Sequence, residues 1–204
     1  MDYSLGKSRQ DSNFDRIFQK NNVDLTSDGA QLFVRTDENG KPSSASFGTF
    51  RSDILYGTFR SFLKTPSIPG TVSSFYYYES KTSEIDMETL SKYNNPKQTF
   101  FAIQPQIYNP DGSASNLTHH KEFLDYDPTM DFHMYRFDWL PEKVDFFLDN
   151  ELKNTMTTNI PYKPGRIIMN HWSDGNPNFS GQPPSDQEIV LSVANLTFFF
   201  NSTQ

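Results

Sequence analysis

Apolar residues in this chain recur at every second position in short runs, and the three-and-four spacing of a long amphipathic helix is hard to find anywhere. Alternation of period two gives an extended strand one apolar face, which a second layer must cover. Such runs predict strands over 23–25, 31–35, 46–50, 54–63, 71–78, 83–90, 98–104, 132–139, 143–148, 166–172 and 188–200. Turn-forming pairs stand between them: Asn39-Gly40, Pro69-Gly70, Asp111-Gly112, Asp149-Asn150, Pro164-Gly165 and Asp174-Gly175. This is the rhythm of an all-β sandwich. The first twelve residues and 105–130 have little periodicity and are expected to run as loops. No internal repeat and no Pro-, Gly- or Ser-rich linker breaks residues 1–204, so one domain is expected.

Composition narrows what such a sandwich does. Apolar residues are only 35% of the chain, yet there are 19 Phe, 10 Tyr and 2 Trp, so the core must rest on aromatic burial with some rings left for a binding surface. The 18 Lys and Arg are scattered in a chain of net charge −7, which lacks the basic footprint of a nucleic-acid binder. No apolar run approaches the roughly 18 to 20 residues of a membrane span. Cysteine is absent, so disulfides and thiolate chemistry are excluded. Four Asn-x-Ser/Thr sequons, at Asn116, Asn178, Asn195 and Asn201, point to a secreted, extracellular or cell-wall glycoprotein, expected to act as a monomer.

Chemistry concentrates in Glu84-Ile85-Asp86-Met87-Glu88. On a strand the three acids share one face while Ile85 and Met87 anchor the other in a core. Any solvated strand face can show this pattern, but three adjacent carboxyls repel, and only Lys81 among the nearby residues offsets them. Crowding raises at least one pKa, so one carboxyl can stay protonated as an acid while another stays ionised as a nucleophile, the division of labour that glycoside hydrolysis needs.

The surrounding sequence resembles glycoside hydrolase family 16, the licheninases, laminarinases and cell-wall glucan transglycosylases, from about residue 14 to 200. In family order stand Asn21-Asn22-Val23, Tyr56-Gly57-Thr58-Phe59, Pro69-Gly70-Thr71-Val72-Ser73-Ser74-Phe75 and the acidic strand. Phe132-His133-Met134-Tyr135-Arg136-Phe137-Asp138-Trp139 and Met169-Asn170-His171-Trp172 follow. The resemblance implies a jelly roll of two antiparallel sheets, one concave and carrying a sugar cleft. It implies Glu84 as nucleophile, Asp86 as the residue that orients and tunes it, and Glu88 as general acid/base. Four residues of strand span about 13 Å, whereas a retaining pair needs carboxyls about 5 to 5.5 Å apart, so the sheet must curve. No residue is inserted between Asp86 and Glu88, which resembles the regular-strand branch of licheninases, xyloglucan-active enzymes and fungal transglycosylases.

The same resemblance places Tyr76, Tyr78, Gln98, Asn170, Trp172, Phe179 and Arg51 against substrate, Trp172 being the best stacking platform. Phe75, Tyr77 and Trp139 are expected in the core, and His171 is expected to face away from the cleft. Licheninase-like members use a glutamate and an arginine where this chain is read as having Arg60 and Phe62, and an asparagine where it has Phe100. Ala194 stands where many relatives have a calcium-binding aspartate, so no metal site is expected. His119-His120 with Glu122 lacks a completing ligand and is read as a solvated loop. No cofactor is required.

The sequence therefore predicts a retaining, endo-acting β-glucan hydrolase of the β-1,3-1,4- or β-1,3-glucanase type, whose partner is a β-glucan polysaccharide or oligosaccharide. A glucan or chitin transglycosylase of the same family is the second reading, and a lectin-like sandwich without catalysis the third. Three aligned acids argue against a pure binder.

Overall fold

The computed structural model describes residues 1–94 and 96–203, and these form sixteen strands with a single 3-10 turn at Lys20–Asn22. The first half of the chain supplies β1 (Tyr3–Leu5), β2 (Arg16–Phe18), β3 (Val23–Thr26), β4 (Gly29–Thr36), β5 (Pro42–Ser43), β6 (Ala45–Gly48), β7 (Ile54–Lys64) and β8 (Val72–Ser80). The second supplies β9 (Ser83–Asn94), β10 (Lys97–Gln104), β11 (His119–Phe123), β12 (His133–Trp139), β13 (Val144–Leu148), β14 (Glu151–Met156), β15 (Arg166–Trp172) and β16 (Ile189–Ser202). A front sheet runs β11-β10-β9-β8-β15-β6, and a back sheet runs β14-β13-β12-β7-β16-β4-β3 with β5 paired to β4. β1 and β2 form a separate hairpin. The result is a jelly-roll sandwich whose front sheet carries the cleft.

Aromatic rings join the two layers, as the composition requires. Phe75 of β8 meets Phe137 of β12 at 5.2 Å between centroids, Tyr77 meets Trp139 at 4.2 Å, and Phe101 stacks on Phe146 at 4.8 Å. All six are buried. Each such ring contributes about 1.5–3 kcal/mol by leaving water, and the Trp139 indole N–H avoids the cost of burial by donating to the Pro161 carbonyl at 2.9 Å.

The Tyr56-Gly57 pair has a backbone reason. Tyr56 has φ 58° and Gly57 φ 141°, and a Cβ on Gly57 would stand 2.2 Å from the Phe199 carbonyl oxygen of β16. Only glycine allows β7 and β16 to approach so closely there.

Three expectations are corrected. Residues 3–5 and 119–123 are strands, not loops: their partners, 16–18 and 97–104, supply the hydrogen bonds that their own weak alternation does not announce. β14 also forms without an apolar-alternating signal, because it completes the ladder of β13. Arg60 and Phe62 lie on β7 of the back sheet, where Phe59, Ser61 and Leu63 point inward and these two point to the outer face. They stand on the far side of the sandwich from the acids and contact no sugar in the cleft.

Candidate active site

β9 folds as its alternation dictates. Ile85 and Met87 are buried between the sheets, so Glu84, Asp86 and Glu88 emerge together on the opposite face of the front sheet. The neighbouring strands set their surroundings in register. Glu84 lies between Tyr78 and Gln104, Asp86 between Tyr76 and Ala102, and Glu88 between Ser74 and Phe100. Ser74 Oγ donates to Glu88 Oε1 at 3.1 Å. Asn170, opposite Ser74 on β15, donates from Nδ2 to the Tyr76 hydroxyl at 3.2 Å, while its Oδ1 is buried without a partner among the described residues.

Burial governs the protonation of the three acids. It pushes the Glu84 carboxyl up to about 7, helped by the charge of Glu88 and opposed by Arg16. Asp86, deepest and flanked by both glutamates, is held well above the usual carboxylate range, although a hydrogen bond from Gln104 opposes this. Glu88 is also raised by burial, against the Ser74 hydrogen bond and the charges of Arg9 and Arg16. Burial and mutual repulsion thus keep carboxyls in this cluster protonated to higher pH than free acids allow. A general acid needs a carboxyl held protonated in this way.

The expected sugar-contacting residues divide into groups. Tyr76 and Tyr78 flank the acids edge to face, with centroids 6.4 Å apart, and Asn170 joins them. Gln98 shares the acids' face by alternation on β10 but is buried beside the register irregularity between Lys97 and Thr99. Trp172 is on the same face, yet only 4% exposed: Phe18 packs on it together with Val72 and Leu90. Phe179 is half-buried beside it, at 5.9 Å. Arg51 binds Asp53 through Nε and Nη2 at 2.8 and 2.6 Å and lies over Phe200 of the back sheet.

Trp139, Phe75 and Tyr77 are core residues, and His171 turns inward, where its Nδ1–H donates to the Leu32 carbonyl at 2.8 Å. His120 pairs with Glu122 at 2.8 Å on β11. Among the described residues no group of three or more His, Cys, Asp or Glu side chains is arranged to hold a metal ion.

Sequence reasoning missed Ser74 and Gln104. Alternation outward from Tyr76 and Phe100 would have placed both on the acid face. It also missed Arg9 and Arg16, which come from a segment without periodicity.

Residues 10–187 match the family model for glycosyl hydrolases family 16. The chain belongs to this family. A β-glucanase of Paenibacillus polymyxa is 33% identical over 170 residues, which cover 78% of this chain and 66% of that relative, so the chain spans just under two thirds of the relative's length. The solved β-glucanase of Bacillus licheniformis superposes with a TM-score of 0.78 at 25% identity, covering 98% of this chain and 91% of that one. A Crh5 transglycosylase in complex with NAG shares the fold with a TM-score of 0.69 at 20% identity, over 89% of this chain and 76% of that one.

Proposed function

We propose that the chain is a retaining, endo-acting β-glucan hydrolase in which Glu84 is the nucleophile, Asp86 orients and tunes it, and Glu88 is the general acid/base. The observation that carries this reading is the placement of the three acids on one strand face, with Tyr76, Tyr78 and Asn170 around them and the core beneath. The β-glucanase relatives support the substrate class. Glu84 attacks the anomeric carbon as Glu88 gives its proton to the departing oxygen, leaving a covalent glycosyl-enzyme. Glu88, now a base, takes a proton from water as that water attacks the same carbon, which restores the β-anomer and frees Glu84.

Secretion belongs to the same proposal. The sequon residues Asn116, Asn178, Asn195 and Asn201 are all solvent-exposed, as acceptors of N-glycans must be. Loss of mass on enzymatic deglycosylation of the chain from a eukaryotic host would support it, and an unmodified chain from that host would contradict it.

The test of activity is a product profile on lichenan, laminarin, xyloglucan and chitin oligomers, with and without an added acceptor sugar. Hydrolysis to β-anomeric oligosaccharides is expected. Transfer to the acceptor in preference to water would assign the transglycosylase role instead, and inertness on all four would refute both.

A further inference from the structure

Three cations gather at the Trp172 end of the cleft in a chain of net charge −7. Arg16 on β2 holds its guanidinium 5.3 Å from the Trp172 ring centroid, and Arg9 holds its own 4.5 Å from that of Phe179. The two rings are 5.9 Å apart, so the cations and rings form one continuous row. Lys92 joins from β9, on the acids' face four residues beyond Glu88, and its Nζ donates to the Pro177 carbonyl at 3.2 Å. Burial, with the like charge of Arg9, lowers the Lys92 pKa against the opposing charge of Asp11.

Among the described residues, none of these three cations forms an ion pair with a carboxylate. The charges of Arg9 and Arg16 reach Glu88 without an ion pair, and the acids of the adjoining segments are already engaged. Asp11 accepts from the amides of Asn176 and Asn178 at 2.7 and 2.6 Å, and Asp174 accepts from Ser8, Ser12 and Ser180. Like charges brought together without partners repel, and an anion that bridges them relieves the repulsion while gaining charge-assisted hydrogen bonds.

The segment carrying the arginines is also fixed in place. The backbone N–H groups of Asn13 and Phe14 both donate to the Asp174 carbonyl, at 3.0 and 2.9 Å, and the Asn13 side-chain amide donates to the Gly175 carbonyl at 2.8 Å. Trp172 is covered, so an incoming sugar meets guanidinium there and not an open indole face.

We propose that Arg9, Arg16 and Lys92 form a subsite for an anionic substituent, a carboxylate or a sulfate ester, carried on a glycan chain lying in the cleft. This rests on the reading of the cleft as a β-glucan site. The preferred substrate then bears acidic groups, and neutral glucan uses the cleft without this contact.

The test uses Glu84→Gln, which binds without turnover, and measures affinity by calorimetry for laminarin and barley glucan in neutral, carboxymethylated and sulfated forms. The anionic forms should bind about tenfold more tightly at low ionic strength, with the preference falling towards one in high salt. Adding Arg9→Gln and Lys92→Gln should abolish the preference, whereas Arg9→Lys with Arg16→Lys, which keeps the charges, should retain most of it. The stronger of the carboxymethyl and sulfate arms identifies the substituent. Equal affinity for neutral and anionic forms, or a preference that survives loss of the cations, would overturn the subsite and leave the glucan reading intact. No binding of any glucan form would overturn both.

Discussion

Ser74 and Glu88 face each other across β8 and β9, and the serine hydroxyl donates a 3.1 Å hydrogen bond to the carboxyl it faces. A hydrogen bond to the ionised form lowers a carboxyl's pKa, so Ser74 opposes the rise that burial imposes on Glu88. Replacing Ser74 with alanine should raise the Glu88 pKa further. If Glu88 is the acid, the alkaline limb of the kcat/KM profile moves to higher pH in the variant, and an unmoved limb would remove Ser74 from the proton inventory.

Glu84→Gln and Glu88→Gln should each reduce turnover by at least about 10⁴-fold, because each removes a bond-making or proton-transferring group, with the fold intact since neither side chain packs in the core. Asp86→Asn should be milder, about 10²- to 10³-fold. Initial rates on the best glucan check this, with circular dichroism to verify folding; wild-type rates in Glu84→Gln would break the assignment.

Glu84 also makes stability depend on pH. Its pKa rises from 4.5 to about 7 on folding, so the folded state binds the extra proton between these values. The contribution is fully present below about pH 4.5 and is lost as pH rises through 7, an effect of roughly 3 kcal/mol. His171 has the opposite sense. Burial lowers it from 6.5 to about 4, so its contribution is present above pH 6.5 and lost as pH falls through 4. Urea midpoints of wild type, Glu84→Gln and His171→Asn at pH 4, 5.5 and 8 should show the first variant gaining at pH 8 and the second flattening the acid side. Parallel curves for all three would contradict both shifts.

Gly57→Ala should cost about 3 kcal/mol or more, since its Cβ would meet the backbone of Phe199 and Phe200 at 2.2 and 2.7 Å, and backbone cannot step aside as a side chain can. Gly112→Ala, at φ 84° with nothing within 4 Å, carries only the conformational strain, about 1 kcal/mol. Denaturant unfolding of the pair separates the clash from the strain.

The central strands were legible because each has a core to bury: Phe75 and Tyr77 on β8, Ile85 and Met87 on β9, and Phe137 and Trp139 on β12 alternate as their partners demand. The acids were legible for the same reason, being the outward complement of Ile85 and Met87. Period two distinguishes the faces of a strand but does not say to which sheet it belongs, and Arg60 and Phe62 were misplaced through that gap. The covering of Trp172 was hidden too, because Phe18 and Arg16 reach it from more than 150 positions away and their own stretch of chain has no pattern.

Ser8 bonds to Asp174 across 166 positions of sequence, and Asp11 to Asn176 across 165. The segment that carries Ser8 and Asp11 therefore finds its partners only once the strands between are ordered, and the cationic end of the cleft closes with it. Long-range contacts of this kind form late because the intervening chain must be ordered first. The acids on β9 take their ladder partners from β8 and β10, which are neighbours in sequence, so the strand that carries the chemistry can pair before the wall that meets the substrate's end is closed.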